Sequence, residues 1–273
     1  MPMQQQKNKN IIALGVGFGL IILIALITIW KPFAPKNGNN KQNESFQISK
    51  NMAAVKQISS EELSAKLRNK DPLSVIDVRS GDEFKQEHIL DSQNIPADNF
   101  DSDSSALDGN NNYAIVDDGS DNTGLVLAGN LVQKEFKNVY YLTGGFLAWK
   151  NKINPTVSTG DPNSFVDQSK VNYINSDKLK EIMQSDNNLY IIDVRKSDAF
   201  AQGHLKGSDN IFLDDLEKRR HEIPVGKKII LYDSNGLWAF QGAVRLFDMS
   251  ILNVSALSDG FDSWKQKGFE MIK

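Results

Sequence analysis

The stretch SVIDVRSGDEFKQEHILDSQNIP, residues 74–96, returns as YIIDVRKSDAFAQGHLKGSDNIF at residues 190–212. Asp77, Arg79, Phe84, His88 and Asn94 each stand 116 positions before Asp193, Arg195, Phe200, His204 and Asn210. A second pair of blocks follows, VYYLTGGFLAW at 139–149 and VSALSDGFDSW at 254–264, now 115 positions apart. One residue is therefore gained or lost between the blocks. Repetition at this length means two domains of one architecture rather than a solenoid of short units.

Each copy reads as alternating β and α. Ser59 with Glu62 forms a capping box ahead of a first helix. The runs SVIDV, YIIDV and KKIILY are continuously apolar, as in parallel strands covered by helices on both faces. The expected fold class is α/β, with domain 1 at 51–153 and domain 2 at 171–273. Residues 154–170 carry the Pro, Gly and Ser of a linker. In domain 1 the segment 98–112 reads as a solvated loop, where domain 2 has the helix-like LDDLEKRRHEIP.

Ahead of the repeat, residues 11–30 form twenty residues without a charge. At 1.5 Å per residue a helix of that length covers the ~30 Å hydrocarbon core. The expectation is an uncleaved single-pass anchor, because the run ends in Trp30, Lys31 and Pro32 rather than at a small-residue cleavage site. Residues 1–10 would then be cytoplasmic, 31–50 a flexible stalk, and the bulk of the chain extracytoplasmic at the cell membrane. Lysines balance across the run, so orientation leans on its closeness to the start.

Composition excludes more than it assigns. The chain of 273 residues has a net charge of −3 and no basic excess, so nucleic acid is not an expected partner. It has no cysteine. Disulfides, thiolate metal sites and thiol nucleophiles are thereby excluded together. His88 and His204 each stand alone in their domains, short of the three or four ligands of a zinc site, and are expected to make structural hydrogen bonds. His221 is expected on a solvated helix face. Asp101, Asp103 and Ser105 only echo a calcium loop, which would need glycine where Ala106 stands and glutamate where Asn112 stands. Neither a metal nor a cofactor is expected. Arg79 and Arg195 are expected to tie loops to nearby carboxylates such as Asp82 and Asp198, and Trp149 and Trp264 to pack in the cores.

Both copies resemble rhodanese-like domains, the sulfurtransferase fold shared with a class of dual-specificity phosphatases. The resemblance rests on IDVRSGDEFKQEHI and IDVRKSDAFAQGHL, and on the closing elements GGFLAW and DGFDSW; it covers roughly residues 54–153 and 171–273. It implies that in active members a cysteine ends the central strand. Backbone N–H groups of the next loop surround its sulfur, and an arginine and a serine lie near the end of that loop. In YAIVDDGSDNTGLVLAG (113–129) and KKIILYDSNGLWAFQGA (227–243) the match puts Asp118 and Asp233 at the cysteine position. Thr123 with Gly124, and Trp238 with Ala239, replace the arginine and serine. A loop of converging N–H donors favours an anion, and an aspartate supplies one from within the chain.

The resulting expectation is a non-catalytic tandem module for binding or scaffolding. An unknown protein or small anion would dock at loop mouths bearing Ser120, Asn122, Thr123, Ser234, Asn235 and Trp238, or in the groove between domains. The alternative is a carboxylate-dependent hydrolase or phosphatase-like enzyme using Asp118 or Asp233, though neither loop offers the basic residue that phosphoryl chemistry needs. Asp77, Arg79, His88, Asp193, Arg195 and His204 are expected to be structural.

Overall fold

A computed structural model describes residues 50–273, so the expected anchor, stalk and cytoplasmic start lie outside the described residues. Among the described residues no helix is long and apolar enough to cross a membrane.

Domain 1 runs β1 (Lys56–Ile58), α1 (Ser60–Arg68), β2 (Ser74–Asp77), α2 (Gly81–Gln86), β3 (Glu87–Ile89), β4 (Gln93–Asn94), α3 (Phe100–Asp103), β5 (Asn112–Val116), α4 (Thr123–Gln133), β6 (Asn138–Leu142), α5 (Gly145–Asn151) and β7 (Thr156–Ser158). After α6 (Phe165–Ser169), domain 2 follows as β8 (Asn172–Ile174), α7 (Ser176–Ser185), β9 (Leu189–Asp193), α8 (Ser197–Gln202), β10 (Ser208–Asn210), β11 (Lys228–Tyr232), α9 (Leu237–Asp248), β12 (Val254–Leu257) and α10 (Gly260–Gln266).

The two sheets have one topology. Domain 1 orders its strands β1-β6-β5-β2-β4 and domain 2 orders them β8-β12-β11-β9-β10, with every pairing parallel. The continuous apolar runs are explained by burial on both faces. Ile76 and Ile115 point into one cluster under α4, whereas their neighbours Val75, Ala114 and Val116 point into another with Leu63, Phe146 and Trp149. In domain 2, Ile192, Ile229 and Leu231 meet Phe240 and Val244 of α9, and Ile191, Ile230 and Tyr232 meet Leu179, Phe261 and Trp264. Both tryptophans are core residues, each spending its indole N–H on a carbonyl six positions on, at Pro155 and Glu270 (3.0 Å each).

Helix starts follow their caps. Ser59 and Glu62 close the capping box ahead of α1, Ser80 and Glu83 close another ahead of α2, and the Asn175 side chain caps α7.

Within the linker 154–170, β7 pairs antiparallel with β3, setting His88 opposite Val157, just as His204 bridges Ile272 at the end of domain 2. Two expectations are corrected. Residues 98–112 are not simply a solvated loop. Phe100 of α3 is only 1% exposed, a burial contributing about 1.5–3 kcal/mol. Conversely LDDLEKRRHEIP forms no α-helix, only 3-10 turns at Leu213–Asp215 and Arg220–Glu222; exposed His221 sits in the second.

The domains are joined by specific polar contacts. Asp248 at the end of α9 accepts from the Ser158 amide (3.0 Å) and hydroxyl (2.8 Å) and pairs with Lys170 (2.9 Å). His88 Nε2 meets Glu217 Oε2 (2.8 Å), the Asp91 amide donates to Glu217 Oε1 (2.7 Å), and the Arg220 fork donates twice to Asp91 (2.7 Å each).

Candidate functional site

Each central strand ends in an aspartate that faces the loop beyond it. Strand register decides which one. Asp77 pairs with Val116 and Asp193 with Tyr232; likewise the Val78 amide donates to Val116 O and the Val194 amide to Tyr232 O. The counterpart of Asp233 is therefore Asp117, not Asp118. Both are buried, each 3% exposed.

Around Asp233 the turn closes on its carboxylate. The amides of Gly236 (2.8 Å), Trp238 (3.2 Å), Ala239 (3.3 Å) and, at the limit, Asn235 (3.5 Å) all donate to it. The turn can close because Gly236 sits at φ +95°, where a Cβ would lie 2.5 Å from Ser258 O. Charge-assisted bonds of this kind are the strong ones.

Asp117 has a thinner set. It accepts from the Gly119 amide (3.0 Å), the Gly124 amide (2.9 Å) and the Tyr141 hydroxyl (3.3 Å). Burial pushes its carboxyl above the ordinary range against those donors, and the neighbouring Asp118 charge adds to the rise. Burial and the same carboxylate push the Tyr141 phenol up to about 12.

The closing glycines follow from this arrangement. The amides of Phe146 and Phe261 donate to Asp117 O and Asp233 O (2.7 Å each). A Cβ on Gly145 would fall 2.4 Å from Asp117 Oδ1, and one on Gly260 would fall 2.3 Å from Ser234 O. The GF step of GGF and DGF lets α5 and α10 press directly on the aspartate loops.

The remaining predicted residues distribute unevenly. The Asp118 carboxylate is exposed and bonds only within its own turn, accepting from the Ser120 amide (2.7 Å) and hydroxyl (2.9 Å), while the Asp118 carbonyl accepts from the Leu147 amide (3.2 Å). Thr123 opens α4 with its amide on Asp121 (2.7 Å), and Asn122 precedes it without a side-chain cap. Ser234 O accepts from Asp262 N (3.0 Å), and the Asn235 side chain accepts from Leu237 N (3.1 Å). Trp238 sets its ring edge-on to Phe212, with centroids 5.8 Å apart. Outside Asp117 a hollow of about 140 Å³ is bordered by Glu83, Asp118 and Asp121 as well as Arg79, so an anion arriving there meets negative charge.

Arg79 and Arg195 bind neither Asp82 nor Asp198. Each folds back on the aspartate two residues earlier, Nη2 to Oδ2 of Asp77 and of Asp193 at 2.6 Å, and donates to a carbonyl at Glu87 or Gly203 (2.8 Å each). Their guanidinium carbons lie 3.6 Å over Phe146 and 4.5 Å over Phe261. A strand-end pair two residues apart can close on itself, which the sequence spacing allowed but did not single out. His88 and His204 stack on Phe84 and Phe200 (4.0 and 3.8 Å between centroids) and bond the carbonyls of the same residues. Among the described residues no group of three or more His, Asp or Glu is placed to hold a metal.

Comparison with known proteins bears on this geometry. The rhodanese-like domain matches twice, at residues 59–152 and 175–267. The chain belongs to the rhodanese-like family. Among relatives, it is similar to the uncharacterized protein YqhL of Bacillus subtilis, 34% identical over 77 residues, which are 28% of this chain and 61% of YqhL. A sulfurtransferase of Allochromatium vinosum is 22% identical over 102 residues, 37% of this chain and 95% of that protein. Among solved structures, thiosulfate sulfurtransferase from Pseudomonas aeruginosa aligns with 80% of this chain and 43% of its own, at 20% identity and a TM-score of 0.44. In this rhodanese-like chain the residue at the head of each loop is an acid, and no thiol occurs anywhere.

Proposed function

We propose that this protein is a non-catalytic rhodanese-like tandem that binds or scaffolds and does not transfer sulfur. The observation that carries the reading is the Asp233 carboxylate, buried and held by the amides of Gly236, Trp238 and Ala239 with Asn235 at the limit. Transfer through a persulfide needs a sulfur nucleophile, and a chain without cysteine has none. A carboxylate with its lone pairs engaged by several donors is also a poor nucleophile, which counts against a hydrolase that uses Asp233.

The test has two arms. Incubated with thiosulfate and cyanide, the full chain is expected to form no thiocyanate above background, and sustained formation would overturn the reading. In Asp233→Ala the emptied cradle should accept an external anion, so sulfate should raise the melting temperature of this variant more than that of the parent. Equal shifts would mean that the carboxylate does not occupy an anion site.

Residues 11–30 support a membrane-tethered placement for this module, with domains 1 and 2 outside the cell. Protease added to intact cells should then digest both domains, and protection of both would reverse the orientation.

A further inference from the structure

The two domains enclose a cleft of about 490 Å³ that involves neither aspartate loop. Domain 1 contributes Phe84, Lys85 and Val157, and domain 2 contributes Asp214, Lys218 and Arg245. Its charged lining is Lys85, Lys218 and Arg245 with Asp91, Asp214 and Glu217, and Arg220 just outside it takes up Asp91. Glu217 is held by His88 and the Asp91 amide, and Asp91 is held by the Arg220 fork. Lys85, Lys218 and Arg245 remain, and among the described residues neither lysine has an ion-pair partner. Two acids answer them: Glu217, whose charge also acts on Arg245, and Asp214, which is largely exposed and stands 3.6 Å from Arg245, beyond hydrogen-bond distance.

Arg245 is the informative member. Its side chain is 13% exposed, yet among the described residues its guanidinium makes one hydrogen bond, from Nη1 to Leu213 O (2.7 Å). A guanidinium carries five donors in a planar fork suited to the paired oxygens of an oxyanion. Burial pulls its pKa down, the response of a cation short of partners. The surplus is local, because the whole chain is net −3. Three cations against Asp214 and Glu217 leave about one positive charge, and the three acceptor oxygens of a phosphate monoester match the three cationic donor groups. The Phe84 ring on the opposite wall offers an apolar surface for the rest of such a molecule.

We propose that the cleft between the two domains binds a small phosphate monoester, its phosphoryl group held by Arg245, Lys85 and Lys218 and its organic part resting on Phe84. This gives the binding module proposed above a site and a ligand class, and rests on that reading only for its physiological meaning.

Phenyl phosphate, inorganic phosphate and benzoate serve as probes on the full chain in mild detergent, with melting temperature and titration calorimetry as readouts. Phenyl phosphate is expected to raise the melting temperature and to bind at least tenfold more tightly than benzoate, which lacks the second charge. Both lysines are exposed and, among the described residues, free of structural bonds from their side chains, so Lys85→Ala with Lys218→Ala should leave the fold intact. That double variant should bind phenyl phosphate at least tenfold more weakly, and Arg245→Gln should weaken it further. Asp118→Ala, outside the cleft, should bind it as the parent does. Absence of binding, undiminished binding to the double variant, or binding of benzoate equal to that of phenyl phosphate would each overturn the proposal. A chain that forms no thiocyanate and binds no phenyl phosphate would refute the cleft ligand and leave the non-catalytic reading standing.

Discussion

In domain 2 the loop carboxylate, Asp233, is held by backbone amides alone, whereas in domain 1 Asp117 receives two amides and a phenol. The cause is one residue of loop length. The Ala239 amide reaches Asp233 from six positions on, and the Gly124 amide reaches Asp117 from seven, so the spacing of the repeat changes from 116 to 115 within this turn. The longer turn aims fewer amides inward. Tyr141 makes up part of the deficit from β6, at a position occupied in domain 2 by Ala256. Number of donors, more than residue type, governs whether burying a carboxylate stabilises a turn or strains it.

The largest expected effect is that of Asp233→Ala. Leaving its amides without their acceptor should cost about 2–4 kcal/mol by denaturant unfolding at neutral pH. A cost below that of the domain 1 counterpart would break the comparison.

Weighing the loops separately requires the domains to unfold separately, and Glu217 is one of the ties between them. Burial pushes the Glu217 carboxyl up, but His88 and the Asp91 amide outweigh it and hold the group below the ordinary carboxylate range. Its contribution is therefore complete above the ordinary carboxylate pKa and lost as pH falls through the lower folded value. Glu217→Gln should remove about 1.5–3 kcal/mol of coupling at neutral pH, resolve two calorimetric transitions, and show a shallower acid loss than the parent. A single unshifted transition would mean that this contact does not bind the domains together.

Asp117→Ala should cost less, about 1–2 kcal/mol, because the parent already carries an incompletely compensated charge. The sign of its pH dependence is opposite to that of Glu217. With the folded pKa raised, the Asp117 contribution is fully present below the ordinary aspartate value of about 3.9 and is lost as pH rises through the folded value. The cost of the substitution should shrink with rising pH, and a cost that grows would show that the donors outweigh burial after all. Asp118→Ala, which removes only a local exposed turn contact, should stay within about 0.5 kcal/mol.

Periodicity and repetition carried the fold. The apolar runs gave parallel strands, the Ser59 and Glu62 spacing gave a cap, and the late tryptophans gave the core, because each of these signals is local. The ambiguity at the site came from two adjacent aspartates lying where the repeat changes frame: counted from the first blocks Asp233 answers to Asp117, and counted from the second it answers to Asp118. Only pairing between β2 and β5 settles it. The contacts of His88 with Glu217 and of Ser158 with Asp248 were illegible for another reason. They join residues 129 and 90 positions apart, and no local pattern records such a distance.

The cradle around Asp233 also bears on competition. A carboxylate joined to the loop by its own backbone has an effective concentration that dilution cannot lower, and any dissolved anion must displace it at a concentration fixed by the solution. The seat stays taken in dilute buffer and in concentrated cytosol or medium alike, for as long as the turn remains folded.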